Sequence, residues 1–169
     1  MRFADIQEFD VNNGEGVGCS LFVQGCHFHC KNCFNQSTWD FNGGKEWTEA
    51  TKERFLELIN RPYITRVSIL GGEPLADENI KDVYELVKQI PSSKKIWLFT
   101  GYTWENMDSF RRLVVNSVDV LVDGEFVDEL KNMTLPFRGS LNQRLIDVKE
   151  TIKNGKVKLW NLKNQSSLE

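Results

Sequence analysis

The sequence predicts an α/β domain, specifically an incomplete (βα) barrel of about five or six units with a mostly parallel sheet. Two observations predict it. Short apolar runs of strand character alternate with segments of helical periodicity at least three times, and such alternation builds βα units with parallel strands. The chain has 169 residues, whereas a complete eight-unit barrel needs roughly 250. The sheet is therefore expected to stay open or to form a barrel with a gap.

The elements follow in order. A strand is expected at 20–24 (SLFVQ), running into Gly25 and a cysteine-rich loop. Asn42, Gly43 and Gly44 form a break. A helix over 48–60 places Phe55, Leu56 and Ile59 on one face, with Thr48 as its N-cap; Arg61 and Pro62 end it. The run at 66–70 (RVSIL) reads as a buried strand leading into Gly71-Gly72-Glu73-Pro74. Asp77 is the expected cap of a second helix, whose stripe is Ile80, Val83, Leu86, Val87 and Ile90 and which stops at Pro91. A strand at 95–100 (KIWLFT) ends at Gly101. A helix over 103–115 and a strand at 117–122 (SVDVLV) follow, the latter ending at Asp123-Gly124. One more strand is expected around 144–146. Trp97, Phe99, Trp104 and Phe110 are core candidates. No linker or repeat divides the chain, so 1–169 reads as one domain with 156–169 as a poorly ordered tail.

Ligands of such sheets bind at the carboxyl ends of the strands. The cysteine loop, Gly71-Gly72-Glu73-Pro74, Thr100-Gly101-Tyr102 and Asp123-Gly124 all follow strands, so one surface should collect them.

Composition narrows the function class. With 40% hydrophobic and 27% charged residues the chain lies in the ordinary globular range. A net charge of −3 argues against a nucleic-acid partner, which calls for a basic face. No apolar run approaches the ~20 residues of a membrane span, and the acid-bearing N-terminus lacks the apolar core of a signal peptide. The expectation is a cytoplasmic protein with neither nucleic-acid nor membrane partners.

The four cysteines, Cys19, Cys26, Cys30 and Cys33, fall in one window. A disulfide framework would spread its bridges to close large loops, so the cluster points to a metal site in a reducing compartment. Zinc is one reading: Cys26, Cys30 and Cys33 with Cys19, His27 or His29 would make a tetrahedral site, although no second Cys-x-x-Cys pair is present. A [4Fe-4S] cluster is the other, since each iron takes one external ligand and three cysteines leave one iron open to a reactant. Cys19 reads as a small apolar core residue, and the two histidines as polar groups of the loop.

Cys26-x3-Cys30-x2-Cys33 resembles the cluster loop of the radical S-adenosylmethionine (SAM) enzymes, and Gly71-Gly72-Glu73-Pro74 resembles their second motif. The segments 16–39, 97–102 (WLFTGY), 119–126 (DVLVDGEF) and 138–144 (RGSLNQR) resemble the activating components of anaerobic ribonucleoside-triphosphate reductases, and the likeness covers roughly 6–144. Asn32 stands where the superfamily often has an aromatic residue, and Glu125 where relatives often have lysine. The resemblance implies a [4Fe-4S] cluster on Cys26, Cys30 and Cys33, with SAM chelating the open iron through its amino and carboxylate groups. Gly71 and Gly72 would let backbone approach the methionine part, and Glu73 would accept from the amino group or orient the turn. Asn32 and Phe34 would flank adenine. Asp123 would meet ribose or the sulfonium, or else cap a turn with Gly124. No side chain beyond the cluster and SAM is implied as catalytic. The implied activity is transfer of a hydrogen atom from a glycine of the reductase large subunit to a 5′-deoxyadenosyl radical, with flavodoxin as the implied reductant. Two alternatives stand beside it: a small radical SAM enzyme acting on a metabolite, and a zinc-stabilised module that binds a partner.

Overall fold

A computed structural model describes residues 1–162. Its first strand, β1 (Arg2–Asp10), is one the sequence reading does not contain. Acidic and amide side chains hide it, because Asp5, Gln7 and Phe9 take the exposed side of a half-covered strand. β1 pairs antiparallel with β2 (Gly18–Gln24), the strand expected at 20–24, and on its other side with the short β3 (Lys45–Glu46).

The alternating elements then appear as expected. They are α1 (Glu49–Ile59), β4 (Arg66–Gly71), α2 (Ile80–Val87), β5 (Lys95–Phe99), α3 (Ser109–Val115) and β6 (Val120–Asp123). β7 (Arg144–Asp147) and α4 (Val148–Asn154) close the order. Thr48 caps α1 by accepting from the Thr51 N–H at 3.2 Å. Asp77 does not cap α2: Asn79 holds that position, and Asp77 pairs with Arg111 at 2.6 Å. The helix expected over 103–115 splits. A 3-10 turn (Trp104–Asn106) comes first, Met107 is extended, and Asp108 then caps α3 by accepting from the Arg111 N–H at 2.9 Å. Phe110 consequently faces outward, 42% exposed, instead of joining the core.

The seven strands lie in the order β3-β1-β2-β4-β5-β6-β7. β2, β4, β5 and β6 are mutually parallel, while β7 runs antiparallel to β6. The domain is therefore mixed α/β with an open sheet whose middle is parallel. Three crossovers link the parallel strands in place of the five or six units expected, and this open order does not establish a partial barrel.

Register divides the sheet into two faces. Leu21, Ile69, Leu98 and Leu121 lie side by side across four strands and share one core with Phe55, Ile59, Val83, Leu86, Val114 and Val148 from all four helices. Their alternates, Ser20, Ser68, Trp97 and Val120, form the face without helices. Trp97, Val120, Val122 and Leu145 build a second cluster there, with Phe137, Trp160 and Leu162 packed on it. The sequence places 156–169 in a poorly ordered tail. Within it, Leu159 bridges Ile146 and the Trp160 N–H donates to the Leu145 carbonyl at 2.8 Å; residues 163–169 lie outside the described residues.

Candidate metal centre

The loop after β2 turns away from the sheet at Gly25, whose φ is +98°. A side chain there would enter the Phe41 ring. The Gly25 N–H donates to the Thr38 carbonyl at 2.7 Å, and the Cys26 N–H to the Trp39 carbonyl at 3.1 Å. Aromatic contacts hold the rest of the loop. His27 lies on Phe41 at 4.4 Å, His29 stacks on Trp39 at 4.5 Å, and Phe28 meets Tyr102 edge-on at 5.0 Å. His27 Nε2 also meets Glu78 Oε1 at 2.9 Å. His27 thus has a polar partner and His29 a ring contact.

Cys26, Cys30 and Cys33 are free thiols, and all three line one cavity of about 140 Å³. Gly71, Gly72 and Glu73 form its opposite wall, and Thr100, Gly101, Gly124 and Glu125 complete it. The strand ends named from the sequence therefore meet around one cavity. Asn35 links the two motifs: its N–H donates to the Cys33 sulfur at 3.4 Å, and its side-chain amide to the Gly71 carbonyl at 3.5 Å. Burial pushes the Cys26 thiol up to about 11 and raises that of Cys30 as well. Neutral thiols are therefore favoured unless a cation compensates. Cys19 stands apart. It is fully buried in the helix-side core, where burial raises its thiol to about 12.

Gly71 and Gly72 are demanded by the protein itself. A Cβ on Gly72 would sit 2.4 Å from the Gly25 carbonyl oxygen, and one on Gly71 2.7 Å from that of Val23. The Gly72 N–H donates to Val23 at 2.9 Å and the Glu73 N–H to Gly25 at 2.7 Å. Both of these turn N–H groups are therefore taken up by the chain itself. Glu73 is buried. Its Oε1 accepts from Thr100 Oγ1 at 2.7 Å and from the Leu75 N–H at 2.9 Å, and its Oε2 from the Gly101 N–H at 2.8 Å. Burial pushes its carboxyl up to about 7 against these hydrogen bonds. Glu73 thus ties the loops after β4 and β5 together.

The other expected contacts lie off this cavity. Asn32, with a φ of +55°, donates to Asp128 at 2.8 Å. Phe34 packs against Phe126 at 5.1 Å and lines a neighbouring cavity. Asp123 is fully buried; it accepts from Arg144 Nε at 2.9 Å and from the Trp104 N–H at 2.8 Å. Phe28, Asn35 and Trp39 line the cysteine cavity without having been singled out. Their position inside or just after the cysteine loop was the available signal.

Among the described residues, no group of three or more His, Cys, Asp or Glu side chains is arranged to hold a metal ion. The donor set nonetheless fits a multi-iron group. Three soft thiols share a cavity, and the nearby histidines are stacked elsewhere.

The sheet is parallel in its middle and carries a three-cysteine loop at its strand ends, and a family model described as a 4Fe-4S single cluster domain matches residues 12–146. The chain is 39% identical over 148 residues to the anaerobic ribonucleoside-triphosphate reductase-activating protein of Salmonella typhi, covering 85% of this chain and 96% of that protein. It is 38% identical to the protein of that name from Escherichia coli (strain K12), with the same coverage. With that of Enterobacteria phage T4 it shares 35% over 86% of this chain and 93% of that one. The chain belongs to the family of anaerobic ribonucleoside-triphosphate reductase-activating proteins.

Proposed function

We propose that this protein is a glycyl-radical activase: it cleaves SAM reductively at a [4Fe-4S] cluster and generates a glycyl radical on anaerobic ribonucleoside-triphosphate reductase. The observation that carries the reading is the single cavity shared by Cys26, Cys30, Cys33 and the Gly71-Gly72-Glu73 turn. When bound, cluster and SAM together supply a low-potential electron and a 5′-deoxyadenosyl radical able to take a hydrogen atom from the target glycine.

The chain's own residues bind and orient. Cys26, Cys30 and Cys33 would hold the cluster as thiolates, with SAM bound beside it. The turn at Gly71 and Gly72 would border the methionine part of SAM, and Glu73 keeps that turn against Thr100 and Gly101. Phe28 and Trp39 border the cavity and limit the water that would quench a carbon radical. Asn32 and Phe34 remain candidates for the adenine side, and Asp123 for the ribose side through the backbone it fixes. The open sheet suits a polypeptide target, whose own loop fills the gap. The whole chain acts as one domain in the cytoplasm, taking electrons from a reductant such as flavodoxin. Among the described residues no helix is long and apolar enough to cross a membrane.

The test is anaerobic reconstitution, reduction and mixing with SAM and the reductase. A stable glycyl radical should appear by electron paramagnetic resonance, and deuterium placed on the glycine α-carbon should move into 5′-deoxyadenosine. Label that stays in the reductase while deoxyadenosine accumulates would favour a metabolite substrate.

A further inference from the structure

Seven of the chain's eight arginines have polar partners. Arg2 binds the Gly43 and Gly44 carbonyls, and Arg54 and Arg61 bind Glu8. Arg66 binds Asp10, Arg111 binds Asp77 and Asp108, Arg112 binds the Trp104 carbonyl, and Arg144 binds Asp123 and Glu105. Arg138 is the exception. Its Nε, like that of Arg111, is buried without a hydrogen-bond partner, and unlike Arg111 it has no ion pair or other hydrogen bond among the described residues. An unsatisfied buried donor on a charged group is costly, so its retention calls for a partner that arrives from outside.

The backbone that presents Arg138 is fixed. The Gly139 and Ser140 N–H groups donate to Gln143 Oε1 at 2.9 and 3.2 Å, and Gln143 Nε2 donates to the Gly124 carbonyl at 2.9 Å. This ties the segment to the loop that lines the cysteine cavity. Phe137, immediately before Arg138, has a φ of +59°, which residues with side chains rarely adopt. Its ring is seated on Trp97 at 5.3 Å. Such strain persists where the surroundings enforce it, and it gathers at ligand clamps.

Arg138 lines a cavity of about 600 Å³ that shares Asn35, Leu70 and Phe99 with the cysteine cavity. Phe34 and Met133 line it as well, and they are 55% and 72% exposed.

We propose that Arg138 receives a carboxylate of the polypeptide on which this protein acts, at a docking cavity beside the metal centre. The proposal rests on the reading that the target is a protein glycine. A guanidinium fork matches a carboxylate in two parallel hydrogen bonds, which sets the chemistry. The occupant is a polypeptide because this cavity is larger than the cysteine cavity, opens beside it, and exposes Met133 as an apolar anchor.

The test uses the full chain, reconstituted anaerobically, and titrates it calorimetrically with the reductase large subunit. Arg138→Gln should weaken association at least tenfold and flatten its salt dependence. Arg138→Lys, which keeps the charge and loses the fork, should fall in between. A synthetic peptide of the glycine-bearing segment should bind the parent better with free carboxylates than with amidated ones, and this preference should vanish in Arg138→Gln. SAM affinity, measured by equilibrium dialysis, should change less than twofold. The proposal is overturned if Arg138→Gln binds the reductase as tightly as the parent, or if the variant loses SAM affinity instead, which would assign the carboxylate to SAM. A parent that fails to bind the reductase at all would overturn the glycine reading, and this inference with it.

Discussion

Two polar clusters sit on the same strands, and only one of them is complete. Near the amino ends of β2 and β4, Arg66 is fully buried and surrounded by acceptors. Its Nη2 donates to the Asp10 carbonyl at 2.7 Å, its Nη1 to the Asn13 carbonyl at 2.9 Å, and its guanidinium pairs with the Asp10 carboxylate. Ser20 and Ser68, adjacent in register, complete that network through Asp10 and Arg66. At the carboxyl ends, Cys26, Cys30 and Cys33 face a cavity as free thiols, two of them raised by burial. A saturated buried network holds chain together; an unsaturated one awaits a ligand.

The comparison can be broken at several points. The largest effect is expected at the open end. Cys26→Ala, Cys30→Ala and Cys33→Ala should each abolish the visible absorption of the reconstituted cluster. A variant that keeps full absorption would remove that cysteine from the ligand set. At the closed end, Arg66→Met leaves Asp10 buried without its cation and should cost about 3–5 kcal/mol by chemical denaturation. A loss under about 1 kcal/mol would mean that the network is not holding the strands. Gly72→Ala sharpens the contrast, because its Cβ would press on the Gly25 carbonyl next to Cys26. It should cost roughly 1–3 kcal/mol and lower iron content together with SAM affinity. Iron content unchanged while SAM affinity drops would return Gly72 to a purely ligand-facing role. Cys19→Ala should cost only about 1–2 kcal/mol for a small buried side chain and leave the cluster intact.

Glu73 gives a graded effect, one of pH. Its carboxyl lies at about 7 in the fold against an ordinary 4.5, so the folded state disfavours the ionised form. That penalty is absent below about 4.5, grows as pH rises towards 7 and stays constant above it. Relative to Glu73→Gln, the metal-free parent should therefore lose stability across this window in denaturant titrations. A relative gain across the same window would contradict the burial argument.

Legibility followed contiguity. The cysteine loop and Gly71-Gly72-Glu73-Pro74 stood out because each packs its chemistry into a few adjacent residues behind an apolar strand. β1 did not, because a half-exposed strand with Asp5, Gln7 and Glu8 lacks an apolar run. α4 was missed because only Val148 and Thr151 of its residues are buried. The reason for Gly72 was also hidden. The atom it must avoid belongs to Gly25, far away in the chain, and the sequence suggested a ligand in its place. From the sequence Asp123 reads as meeting ribose or the sulfonium, or else capping a turn with Gly124; Arg144 and the Trp104 N–H, which it engages, come from elements whose pairing no local pattern reveals.

The central claim is that three thiolates hold a cluster with one iron left open. Mössbauer spectroscopy of the iron-57 reconstituted protein, with and without SAM, tests it most directly. About four irons per chain are expected, one of which changes its signature on adding SAM while the other three do not. Four irons indifferent to SAM, or stoichiometric zinc in their place, would contradict the account.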